Sequence, residues 1–491
     1  MGPNTPVLVG VGLVMQREAQ LKQMREPLAL MIDAAVAAGA DCGVPALLQH
    51  IEQIAVPVGR WRYRNPGKHI CAGIGVAKAR SISALPGVSQ QTLLSDSCSA
   101  INNGEIRCAL VVGGEAGYRL QQAKATGVQL EDTPSDGLAD VVMKPHAEML
   151  PEYEQRTGLG QMPVGYYAII DSALRHAQGL GVAQHRDRMA ARYSRFSEIA
   201  CANPHAWSHT QHSAADIRDA SDGNPMLAFP YTKLHNAQWN VDQASALLLC
   251  SVSLAKELGI DPALWVYPQA FTEANHMLNI TARGELHRCM GAELAAKAAY
   301  DKAECGPGDL EFLELYSCFP VAVEAYAKAL SITDTMDCSF TGAMPFAGGP
   351  FNSFVLHAIA QMAHRIRRKP RSRGMVTTVS GILTKQGFGI WASEPNPNGY
   401  QCVDVTAAVA AATDEREVVA DYCGKGTVAG YTVLHNRAGR HRGVAVVELP
   451  DGRRTIAASE DPALLAAMEV RDYCACEFEV ANGQIVGATS S

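Results

Sequence analysis

The sequence predicts an α/β body interrupted by an insertion and followed by a small antiparallel barrel, on three observations. Apolar strands alternate with helices through residues 5–394, and a polar, charged stretch from 117 to 239 interrupts them. From Gly426 onward there are short strands separated by turn signals. A chain of 491 residues also exceeds what one ordinary core serves, so several structural units are expected.

Val7-Leu-Val-Gly-Val-Gly12 predicts a buried first strand ended by a glycine turn, and Pro27 to Gly39 a helix with proline at its start. Ile51 to Val58 is a second strand. Gln90 to Asn103 is a helix closed by Gly104, and Arg107 to Ala116 an apolar strand running into a Gly-Gly turn. This alternation predicts a parallel sheet covered on both faces. Residues 117–239 carry Glu154, Arg156, His185, Arg186 and Arg188, then a polar run from Ser208 to Asn224, and mark a large insertion over one face. The strand from Asn240 to Cys250 resumes the pattern. A strand at Trp265–Ala270, a helix at His287–Glu304 and a strand at Leu310–Tyr316 follow. Helices at Val321–Leu330 and Phe351–Arg367 and a strand at Met375–Ser380 complete the second half. Pro395-Asn-Pro-Asn-Gly399 opens a linker over 395–425. Strands at Thr427–Leu434, Gly443–Leu449, Arg454–Ala458 and Ala475–Val480, with an Asp451-Gly452 turn, predict the barrel over 426–491. The halves themselves are bounded at 1–250 and 251–394.

Composition excludes several classes. A formal charge of −7 lacks the basic footprint of nucleic-acid binding, and no apolar stretch is long enough to span a bilayer. The first residues carry no secretory signal, so a cytoplasmic protein with reduced thiols is expected despite 14 cysteines. Cys474 and Cys476 fall on one face of an alternating stretch without a second ligand pair, so core packing is expected and no metal site.

Four segments carry a family resemblance. They are Gly104–Glu115, Tyr231-Thr-Lys-Leu-His-Asn-Ala-Gln-Trp-Asn-Val-Asp-Gln243, Leu315-Tyr-Ser-Cys-Phe-Pro320 and Phe340-Thr-Gly-Ala-Met-Pro-Phe-Ala-Gly-Gly-Pro350. With them the chain resembles the thiolase superfamily, and most closely the type 1 thiolase-like proteins of the acetyl-CoA acetyltransferase family, near the sterol-carrier-type thiolases. The resemblance covers about residues 5–394 and implies a thiolase fold of two related βαβαβαββ halves. The region from Gly426 resembles that group's extra carboxy-terminal domain and the OB-fold partners of thiolase-like aldolases.

The resemblance also assigns positions. The nucleophilic cysteine, which needs a helix amino terminus to favour its thiolate, falls at Gly87. The activating histidine falls at Gly349 and the second cysteine near Val379-Ser380, while Tyr316-Ser-Cys-Phe319 replaces His-Asp-Cys-Phe. Cys98 lies three turns into its helix and is expected to be core; Ser89 is expected to be a cap. Thiolysis and Claisen condensation are therefore not expected. The leading expectation is a CoA-thioester-binding protein, with CoA or acyl-CoA as ligand and no other cofactor. An alternative is retro-aldol or aldol chemistry on a β-hydroxyacyl-CoA with Tyr316 as acid/base, Cys318 and Ser380 being further candidates. Backbone N–H groups from Gly348 to Phe351 would then hold the enolate. A third is a structural subunit of a thiolase-like complex. Gly348, Gly349, Met344 and Phe346 are candidate substrate-binding residues. His185, Arg186, Arg188 and Arg192 share a helical face open either to CoA phosphates or to solvent. A protein partner in lipid degradation and a homo-oligomer are both compatible with the family.

Overall fold

A computed structural model describes residues 2–488 apart from 136, 146, 148, 149, 334 and 335. The first half contributes β1 (Pro6–Met15), β2 (Gln53–Pro57), β3 (Arg80–Ala84), β4 (Cys108–Ala116) and β5 (Val141–Met143). The insertion adds β6 (Met226–Ala228) and β7 (Tyr231–Thr232), and the chain re-enters the sheet as β8 (Asp242–Ser251). The second half supplies β9 (Tyr267–Asn275), β10 (Phe312–Glu314), β11 (Arg373–Ser380) and β12 (Lys385–Ala392). The first sheet runs β1-β8-β4-β2-β3-β5, and the second begins β10-β11-β12-β9.

The two halves repeat one plan. β1-β8-β4-β2 corresponds to β9-β12-β11-β10, with two antiparallel pairs followed by a parallel one in each case. The sheets are thus mixed, which corrects the expectation of a purely parallel sheet; parallel pairing is confined to β4-β2-β3-β5 in the first half. The Gln90–Asn102 and Phe354–Arg368 helices lie between the sheets, touching strands of both. Pro27–Asp41 and Met290–Ala303 cover the outer faces.

Glycine explains two differences from the sequence expectation. β1 does not turn at Gly12; a Cβ there would lie 1.9 Å from the Ala34 carbonyl oxygen, so the glycine admits the Pro27–Asp41 helix against a continuing strand. β12 is absent from the sequence expectation because Gly387 and Gly389 break its pattern. A Cβ at Gly387 would meet the Gln91 side chain at 2.6 Å, and that close approach seats the Gln90–Asn102 helix on the strand.

Residues 395–425 are not a free linker. Gln401–Asp404 forms β13, parallel to β9 at the edge of the second sheet, and Thr406–Ala412 is helical. β14 (Cys423–Asn436), β15 (Gly439–Glu448), β16 (Arg454–Ser459), β17 (Glu477–Ala481) and β18 (Gln484–Ala488) follow. They pair in a closed circuit β14-β15-β16-β18-β17-β14 around Val433, Val447, Phe478 and Met468. This barrel is built onto the insertion. Leu434 pairs with Ala228 of β6, and Tyr431 N–H donates to Ser172 Oγ at 2.8 Å. Cys474 and Cys476 are both buried just before β17, their thiols directed at the carbonyls of Ser172 and Asp472.

Candidate functional site

A cavity of about 480 Å³, within the usual size of small-molecule sites, lies between the insertion and the α/β body. Its roof comes from the insertion: Met162, Val164 and Tyr167 at the start of the Pro163–Ala177 helix, then Leu234, Asn236 and Trp239. Its floor comes from the body. Gly87, Tyr316, Cys318, Met344, Gly349 and Ser380, far apart in sequence, all line it. Of the described lining residues only Lys233, exposed, carries a charge.

The backbone fixes the floor. Gly87, at φ 97°, turns the chain into the Gln90–Asn102 helix, whose Ser89 caps it by accepting from Gln91 N–H at 3.2 Å. The carbonyl of Gly87 accepts from the ammonium of Lys385, a buried residue whose pKa burial lowers. Glu314 sits under the 339–344 loop. It accepts from the Ser339 and Thr341 hydroxyls at 2.8 Å and from the Phe340 and Thr341 amides at 3.0 Å. Burial still pushes its carboxyl up to about 7.

Tyr316 and Cys318 are both buried. Desolvation drives the Cys318 thiol up to about 12, and the Tyr167 hydroxyl, which hydrogen-bonds it, lowers it only in part. Burial, reinforced by Cys318, also raises the Tyr316 phenol, while a hydrogen bond with Gln90 opposes this weakly. Among the described residues no cation lowers it, so Tyr316 rests as a neutral phenol suited to donate a hydrogen bond. Cys98 is fully buried and its thiol raised well above its ordinary value, as a core cysteine should be.

Three expected contributions are corrected. Phe346 does not line the cavity; it is buried beside His212, at 5.8 Å between rings, because the insertion packs over that side of the Ala343–Ala347 helical turn. Gly348 faces Gln243, whose Oε1 would lie 2.2 Å from a Cβ there. The loop amides are also largely spent: Gly349 N–H donates to Gln238 at 2.8 Å, Phe351 N–H to the Gly349 carbonyl at 2.6 Å, and Pro350 has none. The segment therefore does not present the expected row of oxyanion donors.

The charged face on the Val182–Ala202 helix also serves the fold. His185 bonds Asp171 at 2.8 Å, Arg186 reaches the Arg218 carbonyl at 2.8 Å, and Arg188 and Arg192 pair with Glu324. None of the four lines the cavity.

Several features escaped the sequence. Tyr167 stacks on Phe319 at 4.3 Å and comes from the insertion. Asn236 lies within the Tyr231–Gln243 segment, but its role shows only in three dimensions. It spends its amide N–H on Thr232 and leaves a buried Oδ1 without a partner among the described residues. Ser380 is followed by three consecutive residues of positive φ, Gly381 (61°), Ile382 (55°) and Leu383 (59°). A β-branched residue there is strained, and Ile382 lines the cavity.

A family model described as the thiolase-like protein type 1 additional C-terminal domain matches residues 404–482. The whole chain is similar to a monomeric SCP2-thiolase like protein type 1 from Mycobacterium smegmatis, at 26% identity and TM-score 0.83, covering 100% of both chains. The Ltp2-ChsH2(DUF35) aldolase shares the fold at TM-score 0.60 and 15% identity, over 80% of this chain and 99% of that one. An acetyl-CoA acetyltransferase of Cupriavidus necator is 25% identical over 146 residues, which are 30% of this chain and 35% of the relative. The match therefore spans about a third of that curated relative's length.

Proposed function

We propose that this chain, a thiolase-superfamily protein of the type 1 thiolase-like kind, binds an acyl-CoA thioester beneath its insertion without thiolysis or Claisen condensation. The chemistry of the lining carries this reading. Among the described residues the cavity holds no histidine or carboxylate, and its one thiol, Cys318, is kept protonated by burial. Gly87 and Gly349 occupy the positions that the resemblance gives to nucleophile and activating base. Met162, Val164, Leu234 and Met344 suit an acyl chain, and the unpaired Asn236 Oδ1 suits an amide N–H of the CoA arm. Lys233 at the wall supplies a cation for a phosphate.

A second reading, retro-aldol cleavage of a β-hydroxyacyl-CoA, is favoured by one observation: Tyr316 lines the cavity, and its phenol has Gln90 as partner. In that chemistry Tyr316 is the acid/base: its phenol gives a proton to the developing enolate and, as phenolate, takes the β-hydroxyl proton as the carbon–carbon bond breaks, so that no net proton is gained or lost. Tyr316→Phe separates the readings, since it removes one oxygen and keeps the ring against Phe354. Under the binding reading, neither protein cleaves a β-hydroxyacyl-CoA, and affinity and melting temperature barely move. Cleavage by the wild type that falls about a hundredfold in Tyr316→Phe would replace the first reading with the second.

A further inference from the structure

We propose that the additional C-terminal domain positions the cavity wall, with Arg454 as the positioning residue and Arg283 as the relay. The proposal rests on the reading of the cavity as a ligand site. None of the described barrel residues lines that cavity, yet hydrogen bonds join the barrel to its wall through the 278–284 loop.

Arg454 opens β16 and is buried, 3% exposed. Its guanidinium donates to the carbonyls of Arg283 and Gly284, the latter at 2.6 Å, and is oriented by Glu448 at 2.9 Å. The chain leading into the barrel holds the same loop: Gly284 N–H donates to the Asp414 carbonyl and Arg416 N–H to that of Ala282, both at 2.8 Å. From the insertion side, Glu154 accepts from the Thr281 amide and hydroxyl at 2.9 and 2.7 Å.

The loop so clamped passes the constraint on. The Arg283 side chain donates to the Leu278 carbonyl at 3.0 Å and to the Ile382 carbonyl at 2.6 Å. Ile382 is the middle residue of the left-handed turn 381–383, and with Ser380 and Gly381 it forms part of the cavity wall. A turn that bulky residues disfavour persists only when its surroundings hold it. Arg283 holds it from behind, and Arg454 holds Arg283.

The test uses the full chain with Arg454→Met, Arg454→Lys, Arg283→Met, the double methionine variant, and the gentler Glu448→Gln. Two readouts are taken: acyl-CoA affinity by calorimetry, and hydrogen exchange of the 381–384 amides in the unliganded protein. Arg454→Met and Arg283→Met are each expected to weaken binding about tenfold or more and to speed exchange at 381–384. The double variant should be no worse than Arg283→Met alone, because both lie on one path. Arg454→Lys should recover part of the loss. If Arg454→Met does not fold, Glu448→Gln carries the test, with a smaller change in the same two readouts. Unchanged exchange and affinity in the folded variants, or losses that add, would overturn the proposal. Failure of the wild type to bind any acyl-CoA would instead strike the ligand reading, and exchange at 381–384 would still decide the relay.

Discussion

Ser380→Phe is expected to weaken acyl-CoA binding by about a hundredfold or more, roughly 2.7 kcal/mol, and to leave the fold intact. Ser380 ends β11, lines the cavity and is only half-buried, so a larger side chain there is expected to take up cavity space rather than packed core. A cavity of about 480 Å³ cannot keep an acyl group in place once a phenyl ring occupies its floor. Calorimetric titration of both proteins, with melting curves alongside, checks this. Equal affinities would show that the ligand sits elsewhere.

Gly342→Ala is expected to have the largest effect on stability, a loss of about 3 kcal/mol or more. Gly342 has φ 96°, and a Cβ there would lie 2.4–2.5 Å from the Cβ, Cα and N of Ala200 in the insertion's Val182–Ala202 helix. Backbone on the far side cannot yield as a flexible side chain would. The loop is already pinned from beneath by Glu314, which leaves it no direction in which to relax. Denaturant titration measures the loss, and a change below about 1 kcal/mol would mean that the insertion gives way there.

The alternation of strands and helices through the body was legible because proline at helix starts, as at Pro27, and uninterrupted apolar strands, as at Cys108–Ala116, are local signals, whereas the pairing of the two halves came from the resemblance. The floor of the cavity was legible on the same ground. Gly87, Tyr316, Cys318, Gly349 and Ser380 were placed by the resemblance to thiolase motifs, and all five line the cavity. What stayed hidden depends on tertiary approach. Nothing local shows that Gly10 and Gly12 admit a helix rather than make a turn, or that Gly387 belongs to a strand. The roof was hidden too, because the polar sequence of the insertion does not reveal which helix face, with Tyr167, turns inward. The same dependence misplaced Phe346, whose neighbour Met344 took the cavity side. Lys385 was overlooked because its environment comes from Gly87, 298 positions away.

The proposal that the site takes a thioester without performing thiolase chemistry is tested most directly by one measurement. The protein is titrated calorimetrically with acetoacetyl-CoA in the presence of free CoA, and the recovered mixture is analysed by mass spectrometry. Saturable binding with a Kd tighter than about 100 µM, no acetyl-CoA above background and no acylated cysteine are predicted. Acetyl-CoA formed at an ordinary enzymatic rate, about 1 per second or faster, or an acyl adduct on Cys318, would contradict the account.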